Sequence, residues 1–301
     1  MTFLEKALTN AKIPFCKACP LAGFSTFRIG GTVDLAVFPQ TVEELICAVR
    51  VCKRTEFPIF IVGNGSNLLF SDSGVRGAVL FTKKINRVIE EPDGFSADCG
   101  AMLPALSRRA AARGLSGLEF ACGIPGTVGG AVCMNAGAHG GEMAQVIAET
   151  EYYNAETDTR AKCSGNEHNF GYRTSRYLSE PEKIVLRAHI RLRAGDCDEI
   201  QKKTAENLTL RREKQPVGEP SAGSAFKRPK GFFAAELIDR CGLKGLSLGG
   251  AAVSEKHAGF IVNRGGATAK DVLKLMDLIR KIVFEKTGIL LESEIRVLGE
   301  I

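Results

Sequence analysis

The sequence predicts an α+β protein of two domains, and three observations predict it. Short β-rich runs are interleaved with amphipathic helical stretches, glycine-rich segments connect them, and 301 residues with 45% hydrophobic side chains can bury a substantial core. Length alone is compatible with two domains or with three small ones. A charged helical segment that ends before Pro216, followed by the Pro/Gly/Ser-rich stretch QPVGEPSAGS, places a boundary near residue 200, dividing the chain into 1–197 and 198–301.

The elements follow from pattern. Thr41, followed three residues later by Glu44, is a capping box opening a helix through about Arg54, with Val42, Leu45, Ile46 and Val49 on one face. A second helix fits Leu103 to Arg113 and is stopped by Gly114. The runs DLAVF (34–38), PIFIVG (58–63), AVLF (78–81), EYYN (151–154) and KIVLRAHIRLR (183–193) read as strands. Further helices are expected over 198–214, 231–241 and from Ala269 to Lys286, the last with Val272, Leu275, Met276, Ile279, Ile282 and Val283 at helical spacing. A final strand is expected over ILLESEIRV (289–297), with Leu290, Glu292, Glu294 and Arg296 sharing one face.

Composition excludes several classes. No run approaches the roughly 18 apolar residues of a spanning helix. Glu5 and Lys6 interrupt the start of the chain where an export signal needs an unbroken apolar run, so a cytoplasmic protein is expected. Ten cysteines are scattered through a chain with its own core, which fits reduced thiols better than a disulfide framework. Cys16 and Cys19 form one C-x-x-C with no second pair, and the four histidines lack metal-binding spacing, so no metal is expected. A net charge of +6 invites a nucleic-acid reading, but aromatic residues are not interleaved with the cations. The arginines at 173, 176, 187, 191 and 193 suit a polyanionic small ligand equally well, and a solvated basic surface as well.

Two glycine-rich loops stand out, GNGSNLL (63–69) after an apolar strand and GIPGTVGGAVCMNAGAHGG (123–141). Glycines let backbone N–H groups approach phosphate oxygens, as a nest around a diphosphate requires; tight turns without a ligand are the alternative. Leu68 occupies the third glycine position of a dinucleotide fingerprint, and no Walker lysine follows. Ser247 lies in a G-x-S-x-G, but among loop glycines and without a suitably placed acid and histidine. Ser224 to Lys227 with Lys286-Thr287-Gly288 imitates a penicillin-binding signature, lacking its S-D-N element.

Taken in order, TFRIGGTVDLAVFP (26–39), GNGSNLLFSDSGVRG (63–77), GLEFACGIPGTVGGAVCMNAGAHGGE (117–142), FGYRTSR (170–176), SAGSAFKRP (221–229), GLSLGGAAVSEKHAGFIVN (245–263) and LESEIR (291–296) resemble the UDP-N-acetylenolpyruvoylglucosamine reductase (UDP-N-acetylmuramate dehydrogenase) family. The resemblance covers nearly the whole chain. It implies an FAD-binding region of the vanillyl-alcohol oxidase type over 1–197, a substrate-binding domain over 198–301, noncovalent FAD, and NADPH as the reductant. The implied reaction reduces the enolpyruvyl ether of a UDP-amino sugar in peptidoglycan precursor synthesis.

Residue by residue, the resemblance assigns FAD to Gly63, Asn64, Gly65, Ser66, Asn67 and Leu68, and to Gly123, Gly126, Thr127, Val128, Gly130 and Ala131. Arg173, Ser224 and Glu294 are the implied catalytic group: hydride from flavin N5, a proton from Ser224, and an enolate stabilised by Arg173 and Glu294. Lys227, Arg228 and Arg296 are the cations expected at the substrate. Another flavin oxidase of the same fold, or a non-enzymatic phosphosugar-binding protein, would keep the glycine loops without this constellation. Ser293 stands where the family usually has proline. The chain between Arg173 and Ser224 resembles the family's shorter type, which lacks an inserted lid.

Overall fold

A computed structural model describes residues 2–300. The chain packs as two compact units: Met1–Lys17, Leu35–Asn64 and Gly77–Leu210 form one, while Ala18–Asp34, Gly65–Arg76 and Arg211–Ile301 form the other. The packing units are therefore discontinuous where the expected domains were contiguous, and the division near the C-terminal third falls between residues 210 and 211.

The first unit begins with α1 (Phe3–Asn10), opened by a capping box between Thr2 and Glu5. In α2 (Val42–Arg54) the Thr41 hydroxyl accepts the Glu44 N–H at 3.1 Å, as the sequence predicts. The return arm differs, since the Glu44 carboxylate takes the N–H of Gln40 (2.8 Å) instead of that of Thr41. Leu45, Ile46 and Val49 of α2 pack with Leu8, Val37 and Leu80, burying one helix face over the parallel pair formed by strand Ile59–Val62 and the strand ending at Phe81. α3 (Leu103–Ala112) is followed by Gly114 at φ 64, the left-handed residue that ends it.

A second core in this unit lies on an antiparallel sheet with strands in the spatial order Thr159–Ser164, Ile147–Asn154, Lys183–Arg191, Gly94–Asp98, Val88–Glu91. The short helix α4 (Val128–Cys133) lays Val128, Ala131 and Val132 against Ala188 and Ile190 of that sheet. The glycine loop 123–141 is thereby anchored at its middle, and the turn α5 (Arg176–Ser179) follows the FGYRTSR segment. α6 (Cys197–Lys214) carries the chain across the division between the units.

In the second unit, strands Ser221–Ser224, Phe260–Asn263, Ala251–Val253 and Ser247–Leu248 form an antiparallel sheet in that order. α7 (Ala234–Arg240) starts later than the expected 231, because Gly231 sits at φ 79 and is not helical. α8 (Ala269–Thr287) buries Val272, Leu275, Met276, Ile279 and Val283 on Ile238, Ala251, Val253 and Ile261, and stops at Gly288.

The two early segments of this unit are tied to each other by Gly31, whose N–H donates to Ser71 O and whose carbonyl accepts from Leu21 N–H. A Cβ at Gly31 would stand 2.3 Å from the Asp72 carbonyl oxygen, so only glycine fits.

The expected final strand is corrected. Only Arg296–Leu298 forms a ladder, parallel to Leu68–Phe70, and residues 289–295 are irregular, with one isolated bridge from Ser293 to Phe226. The alternation survives only in part as burial: Leu291 and Ile295 are buried and Leu290, Glu292 and Arg296 exposed, but Ser293 on the inward side is exposed and Glu294 on the outward side is half-buried.

The N-terminus of α8 is capped twice. Thr268 and Asp271 form a capping box, and the Asp72 carboxylate accepts the N–H groups of Ala269 (2.7 Å) and Lys270 (3.0 Å). These charge-assisted bonds satisfy donors the helix itself leaves open. Replacing Asp72 with alanine is expected to lower unfolding free energy by about 1–2 kcal/mol, measured by urea denaturation; an unchanged midpoint would mean that water serves these amides equally well.

Candidate active site

The two glycine loops meet in the first unit. Asn64 Nδ2 donates to Pro125 O (2.7 Å), pinning the end of one loop to the other. A Cβ on Gly63 would fall 2.2 Å from Thr127 Oγ1, so glycine at 63 leaves the space in front of that hydroxyl clear. Thr127 is 1% exposed, it is the N-cap of α4 yet makes no capping bond, and its Oγ1 has no protein hydrogen-bond partner. Leaving a buried hydroxyl unsatisfied costs about 1–3 kcal/mol, a cost that a bound polar group at that oxygen removes.

The N–H groups of Val128 and Gly129 are already engaged, by Ala101 O and Cys99 O (both 2.8 Å). Gly126 accepts from Leu103 N–H (3.0 Å). Loop 123–131 is thus held by backbone hydrogen bonds that do not use the buried Thr127 hydroxyl. Gly123 is half-buried, Ala131 is buried and Gly130 is exposed. The remaining residues of the first loop, Gly65 to Leu68, belong to the second unit; Gly65 is left-handed at φ 63 and Ser66 is half-buried.

Arg173 lies in the first unit, on the segment after the short helical turn at 165–168. Its φ is 55, a left-handed conformation rare for a residue with a long side chain. Holding it there costs about 1–2 kcal/mol, which the surrounding contacts must offset. Gly171 and Thr174 exchange backbone hydrogen bonds across it (3.1 and 3.2 Å), and the guanidinium donates to Gly137 O at 3.2 Å while lying over the Tyr172 ring. Ser175 Oγ donates to Cys133 O (2.8 Å).

Beneath this turn runs a buried chain of polar groups. His168 Nδ1 faces Gly165 O (3.0 Å), so Nδ1 carries the proton and the bare Nε2 accepts from Thr150 Oγ1 (2.9 Å). Thr150 in turn accepts from the Tyr177 hydroxyl (2.5 Å), and the His168 ring stacks on Phe170. Burial holds the His168 pKa below its ordinary value.

The arginine concentration expected to meet a polyanion is mostly neutralised within the protein. Arg176 pairs with Glu180 (3.1 Å), Arg187 with Asp98 (2.7 Å) and Arg191 with Asp93 (3.2 Å). Sequence proximity placed these cations together, whereas the helical turn pairs Arg176 with Glu180 and the strand carrying Arg187 and Arg191 brings each beside its own carboxylate.

In the second unit the structure brings Ser224, Lys227, Glu292, Glu294, Arg296, Asn67 and Leu68 into one neighbourhood. Glu294 N–H donates to Ala225 O (2.9 Å) and Lys227 N–H to Glu292 O (2.8 Å). Asn67 Nδ2 donates to Glu294 O (3.1 Å), and Arg296 N–H to Asn67 O (3.1 Å). Ser224 pairs with Phe260 in the sheet register and is half-buried, while Lys227 Nζ lies 3.3 Å from a Glu292 carboxylate oxygen. The Arg228 guanidinium stacks 4.4 Å from the Phe233 ring centroid. The two backbone bonds of the bridge at Ser293 run through residues 292 and 294, so neither uses the N–H that a proline at 293 would lack. Sequence reasoning put Glu292 on the face of Glu294 and Arg296 but missed Phe233 and Asn135; the last sits in M-N-A-G, where a left-handed residue after a helix could have been expected.

The comparisons with known proteins show the family. Residues 33–160 match the family described as FAD binding domain, and 215–298 match the UDP-N-acetylenolpyruvoylglucosamine reductase C-terminal domain. The chain is thus a flavin-dependent oxidoreductase, with the α+β fold the sequence predicts. UDP-N-acetylenolpyruvoylglucosamine reductases of Caldanaerobacter subterraneus subsp. tengcongensis and Caldicellulosiruptor bescii are each 47% identical to it, over 93% and 98% of this chain and 92% and 94% of theirs. The crystal structure of the enzyme from Thermus caldophilus superposes with a TM-score of 0.79 at 37% identity, covering 95% of this chain and 99% of that one. The chain belongs to the UDP-N-acetylenolpyruvoylglucosamine reductase family: with FAD as cofactor and NADPH as co-substrate it reduces the enolpyruvyl UDP-amino sugar of peptidoglycan synthesis.

The neutral state of His168 gives a pH signature. A histidine whose folded pKa is depressed contributes stability that is present above the unfolded value of about 6.5 and is lost as pH falls through the folded value. Between about pH 7 and pH 5, wild-type protein should lose more thermal stability than His168→Gln, which accepts from Thr150 but does not titrate; equal losses would show that burial does not depress the His168 pKa in the folded protein.

Proposed function

We propose that Arg173, Ser224 and Glu294 carry the reduction, and that the glycine loops hold the flavin. Thr127 Oγ1 is the polar atom in the loops that a ligand would satisfy, with Gly63 leaving room for it and Asn64, Gly65, Ser66, Asn67, Leu68, Gly123, Gly126, Val128, Gly130 and Ala131 shaping the walls. Bound FAD supplies the hydride that NADPH has delivered. The protein's own part is then to place the enolpyruvyl group, to stabilise negative charge and to move a proton.

In this reading the Arg173 guanidinium balances the enolate that develops on the carboxylate side of the double bond. Ser224 Oγ donates the proton to the adjacent carbon, and Glu294 is the carboxyl partner of that step. Supporting it is the hydrogen bond from Glu294 N–H to Ala225 O (2.9 Å), which holds the backbone of Glu294 beside the residue following Ser224. The pairing of Lys227 with Glu292 argues against Lys227 acting on the Ser224 proton directly, and leaves it, with Arg228 and Arg296, to the substrate's diphosphate.

On the scale of the chain, 1–197 is read as the FAD-binding region and 198–301 as the substrate-binding domain. We further read the protein as cytoplasmic, acting in cell-wall biogenesis and through it in cell shape, cell cycle and cell division, with neither nucleic acid nor membrane as partner. No helix among the described residues is long and apolar enough to cross a membrane.

Two variants test this. Ser224→Ala should bind FAD and accept electrons from NADPH normally, while reoxidation of the reduced flavin by the enolpyruvyl substrate slows by about 10²–10⁴ in single-turnover stopped flow; a rate within a few-fold of wild type would dismiss the proton-donor role. Thr127→Val, which keeps the shape and removes the oxygen, should weaken FAD binding about 5- to 100-fold in a fluorescence titration, and an unchanged affinity would remove Thr127 from the cofactor site.

A further inference from the structure

Asn135 is buried, 1% exposed, and left-handed at φ 40. It terminates α4 in a Schellman arrangement: its N–H donates to Val132 O (3.2 Å) and that of Ala136 to Ala131 O (2.9 Å). Its side chain works in both senses. Nδ2 donates to Gly171 O (3.0 Å), and Oδ1 accepts from Ala144 N–H (2.9 Å). Gly171 is the residue whose backbone pairs with Thr174 across Arg173, and Gly137, two residues after Asn135, provides the carbonyl that receives the Arg173 guanidinium.

The segment that leaves the Thr127 loop through α4 therefore fixes Arg173 twice, once at its turn and once at its side chain. A left-handed Arg173 relaxes toward ordinary φ unless its turn is held. Of the residues that tolerate φ near 40, asparagine alone offers a donor and an acceptor on one short planar group. Aspartate loses the donor, glycine loses both, and glutamine is a methylene too long.

We infer that Asn135 is a positioning residue for Arg173, transmitting the placement of the cofactor loop to the cation beside the developing enolate. The inference rests on the catalytic reading of Arg173 and adds a residue to it. Its consequence is that a nearly isosteric change at Asn135 impairs the substrate half-reaction selectively, and does so in a pH-dependent way. With Asn135→Asp, an ionised carboxylate would face the Gly171 carbonyl with no proton to give. Once protonated, one carboxyl oxygen again donates to Gly171 O while the other accepts from Ala144 N–H.

The test compares FAD-loaded wild type, Asn135→Asp, Asn135→Gly and Arg173→Ala, measuring flavin reduction by NADPH and reoxidation by the enolpyruvyl substrate separately across pH. For Asn135→Asp, reoxidation relative to wild type should fall about 10- to 100-fold at alkaline pH and recover as pH is lowered, with flavin reduction within a few-fold of wild type throughout. Asn135→Gly keeps the left-handed backbone and should show the same loss without recovery.

In the FAD-free protein, hydrogen exchange in the peptide spanning 169–176 should be faster for Asn135→Gly than for wild type, a readout independent of turnover and of whether the aspartate variant folds. Unchanged reoxidation by Asn135→Gly, unchanged exchange, or equal loss in both half-reactions would overturn the inference. Normal reoxidation by Arg173→Ala would instead overturn the role of Arg173 itself, whatever the Asn135 variants do.

Discussion

A buried hydroxyl without a protein partner sits where the two glycine loops of the first unit approach each other. Thr127 Oγ1 is cleared by the absent side chain of Gly63, while the N–H groups of Val128 and Gly129 that follow it are spent on Ala101 and Cys99. A folded chain tolerates such an orphan where a ligand completes it, since the cost is comparable to a tenth or more of a domain's net stability. From this point the chain runs through six residues of helix into Asn135 and Gly137, so the fixed end of the glycine loop and the anchor points of Arg173 are separated by only a turn or two of rigid backbone. Rigid placement is what electrostatic stabilisation of a developing charge requires, because a cation that must reorganise during the reaction gives back most of its advantage.

The second unit solves a different problem, which is to hold a hydroxyl and a carboxyl-bearing segment in register without a continuous sheet. Residues 292–296 make single hydrogen bonds to Ala225, Lys227 and Asn67, stitching three sequence-distant segments where a ladder would have satisfied only one neighbour. Buried Leu291 and Ile295 fix which face turns inward, so Glu294 and Arg296 are presented on the other. Asp72 and Gly31 show the same economy at the entrance to α8, where a loop residue supplies the cap and a glycine admits the backbone that carries it.

Much of this was legible in the sequence. Helices with a clear apolar stripe and a named stop, such as α2, α3 and α8, lie within a residue or two of expectation, because periodicity and capping are local properties. The final strand was over-read for an instructive reason: alternation reports one buried face, and 289–295 has one, but alternation carries no information about a pairing partner. The arginines of 173–193 looked like an anion site because sequence counts charge without showing that Asp98, Glu180 and Asp93 meet it across strands and turns. Segments 18–34 and 65–76 were read as part of the N-terminal half, yet their packing is decided by contacts with residues 211–301. For Asn135 the left-handed position after a helix could be suspected from M-N-A-G, but its partner, a carbonyl 36 residues away, could not.

The most direct measurement is a single anaerobic turnover of the purified wild-type protein with its bound FAD. After stoichiometric reduction by NADPH and removal of the nicotinamide, addition of the UDP-linked enolpyruvyl sugar should restore the oxidised-flavin absorbance completely, with one saturated sugar product formed per flavin. A reduced flavin that stays reduced in the presence of that sugar, and returns only when air is admitted, would contradict the assignment.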